Sequence, residues 1–232
     1  LNIPCIAVPA LAEKVSELAS RFYDEPAQKL ALVGVTGTNG KSTCTQLIAN
    51  WTELLGQRGA VLGTLGNGLF GQLRATENTT GSAISIQQEL AHFAAEKVNV
   101  AAMEVSSHGL VQHRVSALPF AAAVFTNLSR DHLDYHHTMQ AYADAKRQIF
   151  QQTAAEHCIL NADDETIHSY RIATAAEVIS YSVKDETADF FATDITYSRT
   201  QTRFNLVVNG ERYPVVTNLV GLYNVSNTLA AL

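Results

Sequence analysis

Seven consecutive residues, Gly37-Thr38-Asn39-Gly40-Lys41-Ser42-Thr43, define the chemistry that this chain can do. Small residues let backbone N–H groups approach phosphate oxygens. A helix that opens at this point adds the partial positive charge of its N-terminus. Lys41 supplies a point charge for the β- and γ-phosphates, and the Ser42 hydroxyl is a Mg²⁺ ligand of the usual kind. The strict pattern GxxxxGK[ST] would place its first glycine at position 35, which is Val35. Gly-Lys-Ser alone is a weak signal. It becomes strong here because an apolar run, residues 31–35, precedes it and a helix-like stretch, residues 41–55, follows it.

Further candidates lie at the ends of other apolar runs, where parallel-sheet folds collect their ligands. Glu104 sits within the run 98–105, and an unpaired buried carboxylate costs several kcal/mol, so a cation partner is expected, either a metal or a structural salt bridge. The run 120–126 leads into Asn127-Leu128-Ser129-Arg130-Asp131-His132-Leu133-Asp134, which puts His132 just past a strand end as a candidate ligand. Lys146 stands among Tyr142, Ala143 and Ala145 on a helical stretch and, by spacing alone, reads as a solvated surface lysine. Thr76-Glu77-Asn78-Thr79-Thr80-Gly81-Ser82 is a polar loop in which Thr79, Thr80 or Ser82 could serve simply as a helix cap. Ser106-Ser107-His108-Gly109 follows the Glu104 run. Gln112 and Arg114 come next, and Arg114 is able to pair with an anionic substrate.

The elements that must hold these residues are legible as pattern. Leu11, Val15, Leu18 and Phe22 recur at helical spacing, and Asp24-Glu25-Pro26 breaks that helix. Apolar runs at 31–35, 60–64, 98–105, 120–126 and 157–160 alternate with helical stretches at 41–55, 82–97 and 139–150. That alternation predicts an α/β fold, a mostly parallel sheet flanked by helices. Residues 189–197, 204–208 and 212–217 read as short strands, with Asn209-Gly210 as a hairpin turn, so a small antiparallel addition is expected near the C-terminus. A helix restarts at 224–232.

The 232 residues carry 16 Lys+Arg against 22 Asp+Glu and are 47% hydrophobic, enough apolar material for a sizeable core and too much for wholesale disorder. The net charge of −6 argues against a nucleic-acid binder. No apolar run approaches the roughly 20 residues of a membrane-spanning helix. Cys5, Cys44 and Cys158 are far apart and form no CxxC pair, which suits buried thiols in a reducing compartment. At about 150 residues per domain the length suggests one large domain, or one plus a fragment. A start at Leu1 and a stop at Leu232 in mid-pattern predict a piece of a longer protein.

The ordered set of Gly37–Thr43, Thr76–Thr80, Met103–His108, Asn127–Tyr135, Asn161–Asp164 and Gly221–Asn227 resembles the ATP-dependent Mur ligases of peptidoglycan synthesis. The stretches 76–82 and 104–114 look most like the branch that makes the muramoyl tripeptide. The resemblance runs from about residue 5 to the end. It implies a P-loop NTPase-like central ATPase domain at 30–232, preceded at 1–29 by the end of an N-terminal UDP-sugar domain, with the C-terminal amino-acid-binding domain absent.

The same resemblance implies that a diamino acid, meso-diaminopimelate, is joined to UDP-MurNAc-L-Ala-D-Glu through an acyl phosphate formed with ATP. Lys41 would hold the transferring phosphoryl group. Ser42 and Glu104 would ligate one Mg²⁺, and His132 a second, helped by Lys146 carbamylated by CO₂. Asn78, Thr79, Thr80, Ser106, Gln112 and Arg114 would meet the UDP-MurNAc-dipeptide. Asn224 and Asn227 fit the adenine side, with no choice between them. Glu77, His108 and His113 receive no role. A cytoplasmic monomer is expected. Folylpolyglutamate synthase, which shares the ATPase core, and other Mur ligases are the enzymatic rivals. A nucleotide-binding module without turnover is the reading for the truncated form. A regulatory GTPase would need an NKxD-type motif, which is not seen.

Overall fold

The computed structural model describes residues 6–152, 155–171 and 176–232; Cys5 lies outside them. In chain order the first half runs α1 (Leu11–Phe22), a 3₁₀ turn (Pro26–Lys29), β1 (Ala31–Thr36), α2 (Lys41–Leu54), β2 (Gly59–Gly63), β3 (Gly66–Leu69), β4 (Gln72–Arg74), α3 (Ala83–Ala95), β5 (Val100–Glu104) and α4 (Ser107–Val111). The second half runs β6 (Ala122–Phe125), α5 (Leu133–His136), α6 (Met139–Arg147), α7 (Ile149–Gln152), β7 (His157–Asn161), α8 (Ile167–Arg171), β8 (Glu177–Ser182), β9 (Phe190–Tyr197), β10 (Thr202–Val208), β11 (Glu211–Thr217) and α9 (Leu222–Ala231).

Among the described residues the strands form one sheet in the order β11-β10-β9-β8-β7-β6-β1-β5-β2-β3-β4. From β8 through β2 every pairing is parallel. The expected antiparallel addition is the β9-β10-β11 meander. The opposite edge carries a second one, β2-β3-β4, that the apolar pattern did not announce. Its glycines explain why: Gly66, Gly68 and Gly71 all have positive φ, so the segment reads as a loop. The stretch expected as one helix over 139–150 divides into α6 and α7, with Gln148 between them.

Side chains of β1 alternate between two cores, the period-2 signature of a strand buried on both faces. Leu32 joins Leu90, Phe93, Met103 and Phe120 on one face. Val35 joins Cys44, Ile48, Val124 and Leu229 on the other, beneath α2 and α9. Full burial of each such side chain contributes about 1.5–3 kcal/mol. Val35 stands where the strict phosphate-loop pattern wants glycine, and it is completely buried, so packing claims that position and the loop begins at Gly37. α1 packs on α3 and is tied to the domain by Ser16, whose Oγ accepts from the Ala117 amide at 3.1 Å. Asp24 and Glu25 adopt left-handed backbone at the expected break.

Candidate active site

Chain reversal about β1 places its neighbours β5 and β6 on either side, so the loops leaving all three strands open at one end of the sheet. Register sets Val35 beside Glu104 and Thr36 beside Phe125. The loop after β1 is held by its neighbour after β6. The Thr38 amide donates to the Asn127 carbonyl at 2.8 Å, the Asn39 amide to Asn127 Oδ1 at 3.1 Å, and Thr126 Oγ1 to the Asn39 carbonyl at 2.6 Å. These bonds hold the loop through protein contacts alone. Lys41 Nζ donates to the carbonyls of Gly37 and Thr38, both at 2.9 Å, which folds the lysine along the loop. Burial pushes its ammonium below the usual lysine range, and the charges of Glu104 and Asp131 oppose that shift. A cavity of about 280 Å³ lies here, lined by residues 38–43 with Thr64, Thr79 and Glu104.

Glycine is obligatory at two points of the loop. A Cβ on Gly37 (φ 146°) would meet Thr126 Oγ1 at 1.9 Å, and one on Gly40 (φ 91°) would meet Asn227 Oδ1 at 2.3 Å. Gly40→Ala is therefore expected to weaken ATP binding at least about tenfold in titration calorimetry, because strained backbone and a displaced Asn227 act together. Gly56→Ala is the control: φ is also positive at 76°, but nothing lies within 4 Å of the added carbon, so affinity should be retained.

Glu104 is 1% exposed. Its Oε1 accepts from Ser42 Oγ at 2.8 Å and the Thr64 amide at 2.9 Å, and its Oε2 accepts from Thr64 Oγ1 at 3.1 Å. All three donors are neutral, and among the described residues no cation pairs with it. The structural salt bridge held open as an alternative is thus not formed. A buried carboxylate with two hydroxyls at its edge, those of Ser42 and Thr64, and no cation partner is a fitting set of hard oxygen donors for Mg²⁺. Thr64, missed in the sequence, sits just past the end of β2, the same strand-end position that drew attention to Glu104.

Lys146 corrects the surface reading. It is 1% exposed, Nζ donates to the Gly37 carbonyl at 2.8 Å, and the Tyr142 ring lies 4.6 Å from it. The same carbonyl oxygen accepts from Lys41. Burial first, and the Lys41 charge second, hold the Lys146 ammonium well below the usual lysine range. His132 is half exposed beside Asp131, with its ring 5.9 Å from that of Tyr142. Tyr142, one turn before Lys146 on α6, thus touches both candidates, and its hydroxyl lies 3.2 Å from Thr38 Oγ1. Among the described residues no three His, Cys, Asp or Glu side chains converge on one point. Any metal here would complete its shell with hydroxyl, phosphate or water, as Mg²⁺ does.

Next to the phosphate cavity stands a second arm. Thr80 is buried and does not cap a helix. Its hydroxyl donates to the Glu104 carbonyl at 3.0 Å and accepts from the Ser106 amide at 2.9 Å, tying the loop to the strand end. Ser82 is the cap of α3, accepting from the Ser85 amide at 3.1 Å, and Ser106 caps α4 through the Gly109 amide at 3.1 Å. Thr79 Oγ1 meets Thr64 Oγ1 at 2.9 Å, whereas Asn78 is exposed and does not line the cavity. Arg114 donates to the Thr80 carbonyl at 2.7 Å and to Gln112 Oε1 at 2.9 Å. Its acceptors are neutral, so the guanidinium charge is available to an anion.

On the other side of the loop a cavity of about 680 Å³ runs past Asn39, Asn127, Asn161, Asp164, Tyr223 and Asn227. Asn227 is buried and lines it. Asn224 points its amide at the Val220 carbonyl, 3.0 Å away, and does not line it. Of the two asparagines, geometry favours Asn227 for contact with a ligand. Cys44 and Cys158 are buried thiols, and burial pushes Cys44 up to about 12. Among the described residues no helix is long and apolar enough to cross a membrane.

Comparison with known proteins identifies the family and the fold. A family model described as the Mur ligase middle domain matches residues 35–232. A UDP-N-acetylmuramoyl-L-alanyl-D-glutamate–2,6-diaminopimelate ligase of Haemophilus influenzae is 44% identical over 239 aligned residues, which take in 100% of this chain and 48% of that protein. A solved structure of a ligase with the same description superimposes with a TM-score of 0.86 at 35% identity, over 94% of this chain and 46% of the other. Mycobacterium tuberculosis folylpolyglutamate synthase, at 15% identity and a TM-score of 0.76 over 94% of this chain and 57% of its own, shares the fold. The chain spans about half the length of the curated relatives it matches. The chain belongs to the Mur ligase middle-domain family.

Proposed function

We propose that this chain is the ATP-binding centre of a cytoplasmic amide-bond ligase that adds a diamino acid, meso-diaminopimelate, to UDP-MurNAc-L-Ala-D-Glu. The observation that carries the proposal is the convergence on one carbonyl, that of Gly37, of Lys41 and the buried Lys146, beside a Glu104 that is hydrogen-bonded to Ser42 and has no ion-pair partner among the described residues. In the reaction the γ-phosphoryl group of ATP passes to the dipeptide carboxylate, giving an acyl phosphate and ADP. The amine of the diamino acid then attacks the acyl carbon, and phosphate leaves as the amide forms. Lys41 holds the transferring group by charge. The loop, tethered to Asn127 through the Thr38 and Asn39 amides, presents its following amides to that group, and the N-terminus of α2 adds its dipole. Residues 78–80, Ser106, Gln112 and Arg114 receive the dipeptide on the Glu104 side, and Asn227 receives adenine in the larger cavity.

Several negative charges must meet in this reaction, and Mg²⁺ supplies the charge that allows them to. Ser42 and Glu104 would hold one ion, and His132 with a carbamylated Lys146 a second. Two ammonium groups around one neutral carbonyl repel each other, and conversion of Lys146 to an anion turns that repulsion into attraction. The conversion needs a neutral amine, the form that burial favours: the amine and CO₂ give the carbamate and one proton. The 1–29 segment would close the upstream UDP-sugar domain, and the residues that select the amino acid would lie outside this chain.

The deciding measurement supplies the whole ligase with UDP-MurNAc-L-Ala-D-Glu, ATP and either meso-diaminopimelate or lysine. Tripeptide formation with the first and not the second is the expected result. Product with lysine alone would reassign the amino acid. Glutamylation of a folate in place of either would transfer the chain to the rival family of the same fold.

A further inference from the structure

α5 is a single turn whose ends both depart from helical backbone. His132 before it has φ 51°, and His137 after it has φ 65°. A non-glycine residue adopts this left-handed backbone at a cost, and one isolated turn does not hold itself. Some tertiary contact must therefore pin the segment, and His132 moves with it. Within α5 the buried residue is His136, 7% exposed. Its Nε2 lies 2.8 Å from Ser107 Oγ, which is itself buried at the start of α4. On its other side the imidazole stacks on Tyr142, with ring centroids 5.1 Å apart and planes inclined by 30°. Tyr142 in turn touches Thr38 and Lys146.

We propose that His136 is a positioning residue: clamped between Ser107 and Tyr142, it fixes α5 and so sets where His132 stands relative to Lys146 and the phosphate loop. The role in turnover rests on the ligase reading above; the placement of His132 does not. A direct consequence is that the substrate arm and the lysine pair share one clamp, since Ser107 directly follows Ser106, the cap of α4.

The test uses the whole ligase with ¹⁵N-labelled histidines. His136→Leu should lower kcat about 10- to 100-fold, the range that a small misplacement costs, while leaving KM for ATP within about twofold and raising the Mg²⁺ concentration needed for half-maximal rate. His136→Gln, whose amide nitrogen reaches as far as Nε2, should restore kcat to within about threefold of wild type. In the metal-free protein the His132 imidazole resonances should shift in His136→Leu and in the milder Ser107→Ala, and stay in place in His136→Gln. Equal losses in the Leu and Gln variants, or unmoved His132 resonances in both His136→Leu and Ser107→Ala, would overturn the proposal. Where His136→Leu fails to fold, Ser107→Ala decides. If the wild-type protein forms no tripeptide, the ligase reading fails on its own, and the resonance comparison, which needs no substrate, still decides the clamp.

Discussion

Alanine in place of Lys41 in the whole ligase is expected to reduce dipeptide-dependent phosphate release about 10³-fold or more, the scale of losing a charge that stabilises phosphoryl transfer. Lys41 is the one cation among the described residues lining the phosphate cavity. Its Nζ is already placed by two carbonyl acceptors of the loop, so little reorganisation separates it from an incoming phosphate. Arginine should not substitute. Its planar fork cannot follow the bent path that lets one nitrogen reach both Gly37 and Thr38. The loop itself should survive the alanine change, because Asn127 and Thr126 hold it independently of the lysine. A thermal unfolding midpoint close to wild type, with phosphate release lost, is the full expected result. Release within about tenfold of wild type would refute the phosphate-loop assignment.

A larger effect still is expected at Lys146, where alanine should abolish tripeptide formation and short-chain carboxylates should restore part of it. The reasoning is steric as well as electrostatic. Removal of a fully buried side chain of this length leaves a cavity next to the Gly37 carbonyl and the Tyr142 ring. Formate or acetate can enter it and present the carboxylate that a carbamate would have presented. Arginine at this position, permanently protonated and unable to react with CO₂, should be inactive and should not respond to added carboxylate. Turnover assays of both variants, with and without formate, check this. Retained activity in Lys146→Ala would remove the carbamate from the mechanism, while leaving the role of Lys41 untouched.

Local chemistry made part of this site readable and tertiary contact hid the rest. The phosphate loop was legible because glycine, lysine and serine do their work within seven adjacent residues. Glu104 was legible because an acid in an apolar run demands a partner. Lys146 was not: its neighbours on α6 name no partner for it, and the carbonyl that its Nζ meets lies 109 positions earlier. Thr80 was read ambiguously for a related reason. A threonine before a helix is usually a cap, and only the approach of Glu104 and Ser106 turns its hydroxyl into a bridge. In the fold, the parallel core followed from alternating runs and helices. The β3–β4 edge was hidden by its own glycines, and β8 by its mixed faces: Val178 shares one with Ser180 and Ser182, and Glu177 the other with Ile179 and Tyr181, so no clean alternation marks the strand.

The contact between Gly40 and Asn227 has a consequence for how the protein comes to exist. α9 seals the phosphate loop from behind, and Cys44 and Asn227 meet across 183 positions of sequence. A chain emerging from the ribosome displays the entire Gly37–Thr43 signature long before it owns a nucleotide site. The pocket becomes real only when α9 has docked, a contact of high sequence separation of the kind that slows folding. A nucleotide that binds the docked domain and not its precursors would by mass action draw the population toward that domain. A ligand of this loop would thereby double as a selector for the folded domain.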